Sequence, residues 1–220
     1  MKRRSFLWRK GVVFDCDGVL TESRSSWEVL HEYFGSGDNK YFAELYKRGM
    51  ITYLDWMKID IALMINSWKK PILKEDVVRA LSSIKLKPSS IKVVNELRKR
   101  GVLLAVVSSG VDILVKRVCE HLGIDLCFYN ELTFVDNELL PGGVDRVPLK
   151  EKPKIIEKLA VESGVDLTNT VYVGDSEWDI EVFKIVGVPV AVEPCGKACQ
   201  YAKYVIRDLE ELLNIPELQE

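Results

Sequence analysis

The sequence predicts an α/β fold: a Rossmann-like, doubly wound, mostly parallel sheet, with a small all-helical segment inserted after its first strand. Three observations carry this expectation. From Pro88 onward, short apolar runs rich in β-branched residues alternate with amphipathic stretches, as βα units around a parallel sheet do. One more such run, Val12-Val13-Phe14, stands near the start of the chain. Between them, residues 22–85 carry helical periodicity and no strand pattern. The expected division is a core of residues 1–21 and 86–220 around a helical segment of 22–85.

In chain order, Val12 to Phe14 reads as a buried strand that runs into Asp15-Cys16-Asp17-Gly18. Trp27, Leu30, His31 and Phe34 then recur at helical spacing, and Gly35-Ser36-Gly37-Asp38 breaks that helix and caps the next. Tyr41, Phe42, Leu45 and Tyr46 form a second stripe ended by Gly49, and a third helix runs from Tyr53 to about Ile65. Lys74 to Leu81 is a short fourth helix after Pro71. The aromatic and methionine positions of these stripes are expected to pack inward. Ser89 and Ser90 open a helix through Ile91, Val94 and Leu97 that stops at Arg100-Gly101. Val102 to Val107 is a continuous apolar strand ending in Ser108-Ser109-Gly110. A helix from Val111 to His121 follows, then a strand over 125–129 and a hairpin between Thr133 and Asp145. Lys152-Pro153 starts a helix to about Ser163, with proline in its favoured first turn. Thr170 to Val173 is a strand that ends in Gly174-Asp175-Ser176-Glu177-Trp178-Asp179. The expected remainder is a helix over 179–186, a strand over 188–192, a helix near 195–203, a strand over 204–206 and a terminal helix from Asp208, with Pro216 in the tail.

Composition narrows the function. The 220 residues are 47% apolar and 29% charged, which fits a packed globular core. A net charge of −2 gives no general field for nucleic acid or an anionic membrane. The basic start, Met1 to Lys10, runs into a strand ending in Asp15 rather than into a signal-peptide core. No apolar run approaches the ~18 residues of a membrane span. A cytoplasmic protein is expected. Cys16, Cys119, Cys127, Cys195 and Cys199 have neither disulfide-framework nor zinc-ribbon spacing, so buried reduced thiols are the expectation.

Four segments place polar groups at or beside strand ends: Asp15 and Asp17, Ser108 and Ser109, Lys152, and Asp175 with Asp179. Taken alone, Asp-Cys-Asp-Gly is explained equally well as a turn closing a strand. The coincidence of four is not, because parallel sheets gather their functional groups at carboxyl strand ends. Two carboxylates ~4 Å apart repel by about 4 kcal/mol at an effective dielectric near 20, so such a cluster demands a cation. Oxygen donors without clustered histidine or cysteine point to Mg²⁺. Lys152 adds a fixed positive charge, and the Ser108 hydroxyl with nearby N–H groups adds donors for a phosphoryl group. A carboxylate can attack phosphorus, and a second one two residues on can protonate the leaving oxygen.

With those residues the chain resembles the haloacid-dehalogenase superfamily of phosphohydrolases, close to its phosphoserine phosphatase branch. The resemblance rests on Asp-x-Asp-x-Val at 15–19, Val-Val-Ser at 106–108, Lys152 before a helix, and Gly-Asp-x-x-x-Asp at 174–179. It implies Asp15 as nucleophile and metal ligand, and Asp17 as acid/base with its backbone carbonyl on the metal. It implies Ser108, with Ser109, on phosphate, and Lys152 neutralising nucleophile and phosphate. Asp175 would ligate Mg²⁺, with Asp179 supporting the metal. It also implies that 22–85 is a cap closing over the site, with Gly18 in a mobile flap. The family's cap glutamate for the substrate amine falls here on Arg24, and its cap arginine on Asp60. The two charges are exchanged, which argues against phosphoserine. Arg24 and Asp60 read equally as groups that set the substrate and as structural ones, a solvated surface or one cap ion pair. Glu22, Arg24 and Trp27 are the nearest candidates for substrate contact, and Trp178 stands where that branch carries asparagine. The expected activity is hydrolysis of a small phosphorylated metabolite by a Mg²⁺-dependent phosphatase, through an aspartyl-phosphate. The alternatives are a phosphomutase or phosphotransferase on the same core, and a non-enzymatic phosphoacceptor switch. Against the switch stand the helical insertion and Asp17, an acid/base useful only for turnover.

Overall fold

The computed structural model describes residues 10–37 and 39–219. The basic opening stretch of residues 1–9 and the capping role expected of Asp38 lie outside the described residues.

A seven-stranded sheet organises the described residues. Its strands are β1 (Gly11–Phe14), β2 (Leu103–Val111), β3 (Leu126–Val135), β4 (Glu138–Val144), β5 (Thr170–Gly174), β6 (Val188–Val192) and β7 (Tyr204–Ile206). Their spatial order is β4-β3-β2-β1-β5-β6-β7. Every pairing is parallel except β3 with β4. The strand order reverses at β1, which lies between β2 and β5. Ligands bind at such switch points in open α/β sheets, beyond the carboxyl ends of the strands. All four β1 residues are buried, as a central strand covered on both faces requires.

Among the described residues, the insertion after β1 holds four helices: α1 (Ser26–Phe34), α2 (Lys40–Lys47), α3 (Tyr53–Trp68) and α4 (Lys74–Ser82). Local chemistry fixes their ends. The Ser25 hydroxyl accepts from the Glu28 N–H at 3.2 Å to start α1, and Gly35 ends it in the left-handed region. Thr52 and Asp55 cap α3 reciprocally. At the base, the two chain crossings pair with each other: Glu22 N–H donates to Lys85 and Lys87 N–H to Leu20, both at 2.9 Å. The far end of the insertion is tied as well. Leu73 bridges Glu138 at the tip of the β3–β4 hairpin, and Leu139 N–H donates to Ile72 at 2.8 Å. Leu30, Phe34, Ile61 and Met64 of these helices share one buried cluster with Val12, Phe14 and Val106 of the sheet.

The remaining helices are α5 (Pro88–Lys99), α6 (Asp112–Leu122), α7 (Lys152–Ser163), α8 (Ile180–Phe183) and α9 (Pro216–Gln219). Several expectations are corrected. Ile91 of α5 is exposed; the helix buries Val93, Val94 and Leu97 instead. The strand expected to end at Val107 continues to Val111, with an irregular register that carries Ser108, Ser109 and Gly110. The strand at 125–129 and the first arm of the hairpin are one strand, β3. Its two-residue turn is Asp136-Asn137, both at positive φ, and Pro141-Gly142-Gly143 lies within β4. The helices expected near 195–203 and from Asp208 are 3-10 turns, Gly196–Gln200 and Leu209–Asn214, and Pro216 opens α9.

The cysteines depart furthest from expectation. Cys119 is bonded to Cys127 and Cys195 to Cys199, leaving Cys16 as the buried free thiol among the described residues. The first bond joins α6 to β3, a pairing set by how the helix packs on its strand. The second lies within one 3-10 turn. Sequence spacing encodes neither.

Candidate active site

Asp15 follows directly on β1, and its N–H donates to Val173 of β5 at 2.9 Å, which holds the residue at the switch point. One carboxylate oxygen accepts from the Cys16 N–H at 2.7 Å, the other from Lys152 Nζ at 2.5 Å. Lys152, at the start of α7, is almost fully buried and also donates to Asp179 Oδ1 at 3.0 Å. Burial alone would lower its pKa, but Asp15 and Asp179 outweigh that and hold it above the ordinary lysine value. Asp179 stays ionised: burial is more than offset by Lys152, by the Tyr172 hydroxyl at 2.7 Å and by the Ser176 backbone, and its pKa falls below the usual value. Its second oxygen accepts from the N–H groups of Asp175 and Ser176, both at 3.1 Å. Asp179 therefore shapes the loop that presents Asp175.

Carboxylate oxygens of Asp15, Asp175 and Asp179 lie within 4.8 Å of one another. Burial, then the charges of Asp15 and Asp179, push the Asp175 carboxyl up to about 7, against the pull of Arg24. Arg24 Nε sits 3.3 Å from Asp175 Oδ2 while its side chain is half exposed. Asp15 is likewise raised, chiefly by burial, with Lys152 opposing. A carboxylate group held up in this way has room for a further positive charge. Three oxygen donors, one after β1 and two from the loop after β5, fit a hard divalent cation such as Mg²⁺. The close approach depends on Gly18, at φ +74°: a Cβ there would come within 2.2 Å of Asp175 Oδ2.

The Asp17 carboxyl is not part of this group. Its Oδ2 accepts from both the N–H and the hydroxyl of Ser26 at 2.7 Å, at the start of α1, and its Oδ1 is buried without a hydrogen bond among the described residues. Burial raises its pKa to about 6, the Ser26 bonds opposing and Asp15 adding to the rise. Ser108 is buried at the end of the regular part of β2 and accepts from Gly110 N–H at 3.1 Å, which leaves its proton free to donate. A Cβ on Gly110 would stand 3.0–3.2 Å from the oxygens of Ser26, Asp17 and Ser108, so glycine lets three polar groups converge.

The Ser109 backbone ties the insertion to the sheet. Its carbonyl accepts from Trp27 Nε1, the Tyr53 hydroxyl and Asn130 Nδ2 at 3.3, 2.8 and 2.9 Å, while its hydroxyl is buried without a partner. Of the substrate candidates, Arg24 and Trp27 line a cavity of about 720 Å³ that also contains Asp15, Ser108, Lys152 and Asp175. Glu22 does not: it is exposed where the chain crosses Lys85. Arg24 and Asp60 do not pair. Asp60 is buried in the same cavity, accepting from Asn39 and lying 3.5 Å from His31 Nε2. Sequence reasoning missed Tyr172, Asn130 and Ser26. A lone tyrosine in a valine-rich buried strand, and an asparagine in β3, each carry polar atoms that must find partners; that was the available signal for the first two.

The profile of the haloacid dehalogenase-like hydrolases matches residues 9–187. The chain belongs to that family. Among the haloacid dehalogenase-like relatives, a phosphoserine phosphatase of Methanocaldococcus jannaschii is 32% identical over 94% of this chain and 97% of its own length. A phosphoserine phosphatase of Archaeoglobus fulgidus is 30% identical over 91% of this chain but 55% of its own. A substrate-bound phosphoserine phosphatase complex superposes with a TM-score of 0.79 at 28% identity, covering 94% of this chain and 97% of that one. A phospho-aspartyl intermediate analogue of phosphoserine phosphatase does so at 0.78, with 28% identity and coverage of 94% and 98%.

Proposed function

We propose that this hydrolase is a Mg²⁺-dependent phosphatase that releases phosphate from a small phosphorylated metabolite, with Asp15 as the residue phosphorylated in each turnover. The observation that carries the reading is the convergence of Asp15, Asp175 and Asp179 within 4.8 Å at the sheet's switch point, with Lys152 bonded to two of them. Mg²⁺ held by Asp15 and Asp175, with the Asp17 carbonyl, would supply the positive charge that lets an anionic nucleophile approach an anionic phosphoryl group.

The chain's own residues do the rest. Lys152 draws its charge between Asp15 and Asp179, and so restrains the nucleophile and neutralises part of the phosphoryl charge. Ser108 donates its hydroxyl to a phosphoryl oxygen. An Asp15 oxygen forms the new bond to phosphorus as the ester P–O bond breaks, and the leaving oxygen takes the proton of Asp17. Asp17, now ionised, accepts a proton from water as that water's oxygen attacks phosphorus and the Asp15–phosphorus bond breaks. Phosphate leaves, and both carboxyls return to their starting states. A pKa of about 6 suits Asp17 to both transfers.

The insertion of residues 22–85 serves as the cap in this reading. Its α2 end rests on the loops that carry the catalytic groups: Lys47 pairs with Glu177 at 2.6 Å, and Lys150 Nζ donates to the carbonyls of Tyr46 and Lys47 at 2.9 Å. Trp178 packs beside Tyr46 with ring centroids 5.8 Å apart. Phosphate release from a panel of phosphomonoesters, including phosphoserine, tests the function. Mg²⁺ is expected to support hydrolysis of at least one and EDTA to stop it; release that is indifferent to EDTA would contradict the metal assignment.

A further inference from the structure

The cavity extends well past the phosphoryl end, between α1 and α3. Both helices start from the same point, because Trp27 of α1 and Tyr53 of α3 donate to the one Ser109 carbonyl. Farther out on the cavity wall, His31 follows Trp27 by one turn, and Met57 and Asp60 follow Tyr53 by one and two turns. At 1.5 Å per residue, Asp60 lies about 10 Å along α3 from Tyr53. Trp56 and Met57 lie between Tyr53 and Asp60 on α3, and Trp27 and Trp178 line the same cavity, so much of its wall is apolar and aromatic. At the outer end stands a carboxylate inside the protein. Asp60 is 4% exposed, and its neighbour His31 binds the Ser36 hydroxyl through its other nitrogen at 2.6 Å. Glu28, Glu32 and Lys40 line the same cavity.

We infer that the substrate is a phosphomonoester of an elongated alcohol, with a ring-bearing apolar middle and an amine at its far end that binds Asp60. The inference rests on the phosphatase reading and adds the leaving group to it. An aromatic or aliphatic ring gains contact and stacking area along the tryptophan and tyrosine wall. An ammonium meets a carboxylate already stripped of water, where charge-assisted hydrogen bonds are strong. A cavity of about 720 Å³ belongs to the range that encloses ligands of drug size. A three-carbon alcohol is too short to reach Asp60 from the phosphoryl end, so an amine on it forgoes that contact.

Steady-state kinetics of the full chain with Mg²⁺ on four probes tests this. O-Phosphotyramine has the ring and the amine, phenyl phosphate the ring alone, phosphoethanolamine the amine alone, and phosphoserine the short alcohol. The kcat/KM for O-phosphotyramine is expected to exceed that of each of the others by roughly tenfold or more, the scale of one hydrogen bond to a charged group. In Asp60→Asn, which keeps the side chain's shape, the ratio of O-phosphotyramine to phenyl phosphate should fall towards one. A wild-type ratio near one, or a ratio unchanged in Asp60→Asn, overturns the inference while the phosphatase reading stands. Failure of all four probes to release phosphate with Mg²⁺ overturns the inference, and failure of the wider panel as well removes the phosphatase reading.

Discussion

Asp17→Asn separates a proton from its packing. Ser26 donates its N–H and its hydroxyl to one Asp17 oxygen, both at 2.7 Å, and an asparagine oxygen can accept both. The start of α1 is therefore kept while the titrating group is lost. A positioned general acid contributes about 10²–10⁴ in rate, which is about 2.7–5.4 kcal/mol of barrier at 1.36 kcal/mol per tenfold. The assay is kcat/KM at saturating Mg²⁺ across the range from acid to neutral pH, for an alkyl phosphate and for 4-nitrophenyl phosphate. With the alkyl ester, whose oxygen leaves as a strong base, the variant is expected to lose at least about 100-fold. With 4-nitrophenyl phosphate, whose leaving anion is stable unprotonated, the loss should be smaller. The acid form of Asp17 is needed first, so the wild-type alkyl rate should decline above a pKa at or below about 6, and the variant should lack that limb. A loss of only a few-fold on the alkyl ester, or the same limb in Asp17→Asn, would refute the assignment.

Three further outcomes follow from the same geometry. Gly18→Ala forces a side chain into left-handed backbone and onto Asp175 Oδ2; it should cost about 1–2 kcal/mol from the backbone alone and weaken Mg²⁺ binding, measured by urea melts and calorimetry. Lys152→Met strands Asp15 and Asp179 as buried carboxylates, so a loss of about 3–5 kcal/mol is expected near neutral pH and a smaller one in acid, where both protonate; equal losses at both would contradict the pairing. The raised Asp175 pKa has a definite sign. The unfolded carboxyl ionises near 3.8 and the folded one near 7, so the stability it contributes is full below about 4 and lost as pH rises to about 7. Up to roughly 4 kcal/mol is at stake by the linkage between pKa and stability. Denaturation of metal-free protein against pH should show this decline, and Mg²⁺ should flatten it.

The central sheet and the convergence of the candidate site were legible because each part is a local signal. Valine-rich runs that end in Asp15, Ser108 or Asp175 announce both a strand and its functional end, and parallel topology then brings the ends together. What could not be read was set by tertiary contact. Asp17 turning to Ser26, and Tyr172 reaching Asp179, depend on how α1 and the loop after β5 sit on the sheet. The exchanged charges at Arg24 and Asp60 gave no hint that one would meet Asp175 and the other His31 and Asn39. The disulfides and the 3-10 turns of the C-terminal third were missed for the same reason: short polar segments take their shape from what they lie against.

The most direct test of the account is to catch the phosphoryl group on Asp15. Protein quenched in acid during turnover with Mg²⁺ is digested and its peptides are weighed. The account predicts the phosphoryl mass on the peptide that holds Asp15, absent with EDTA and absent in Asp15→Asn, which should also release no phosphate. A phosphoryl group on another residue, or undiminished hydrolysis by Asp15→Asn, would contradict it.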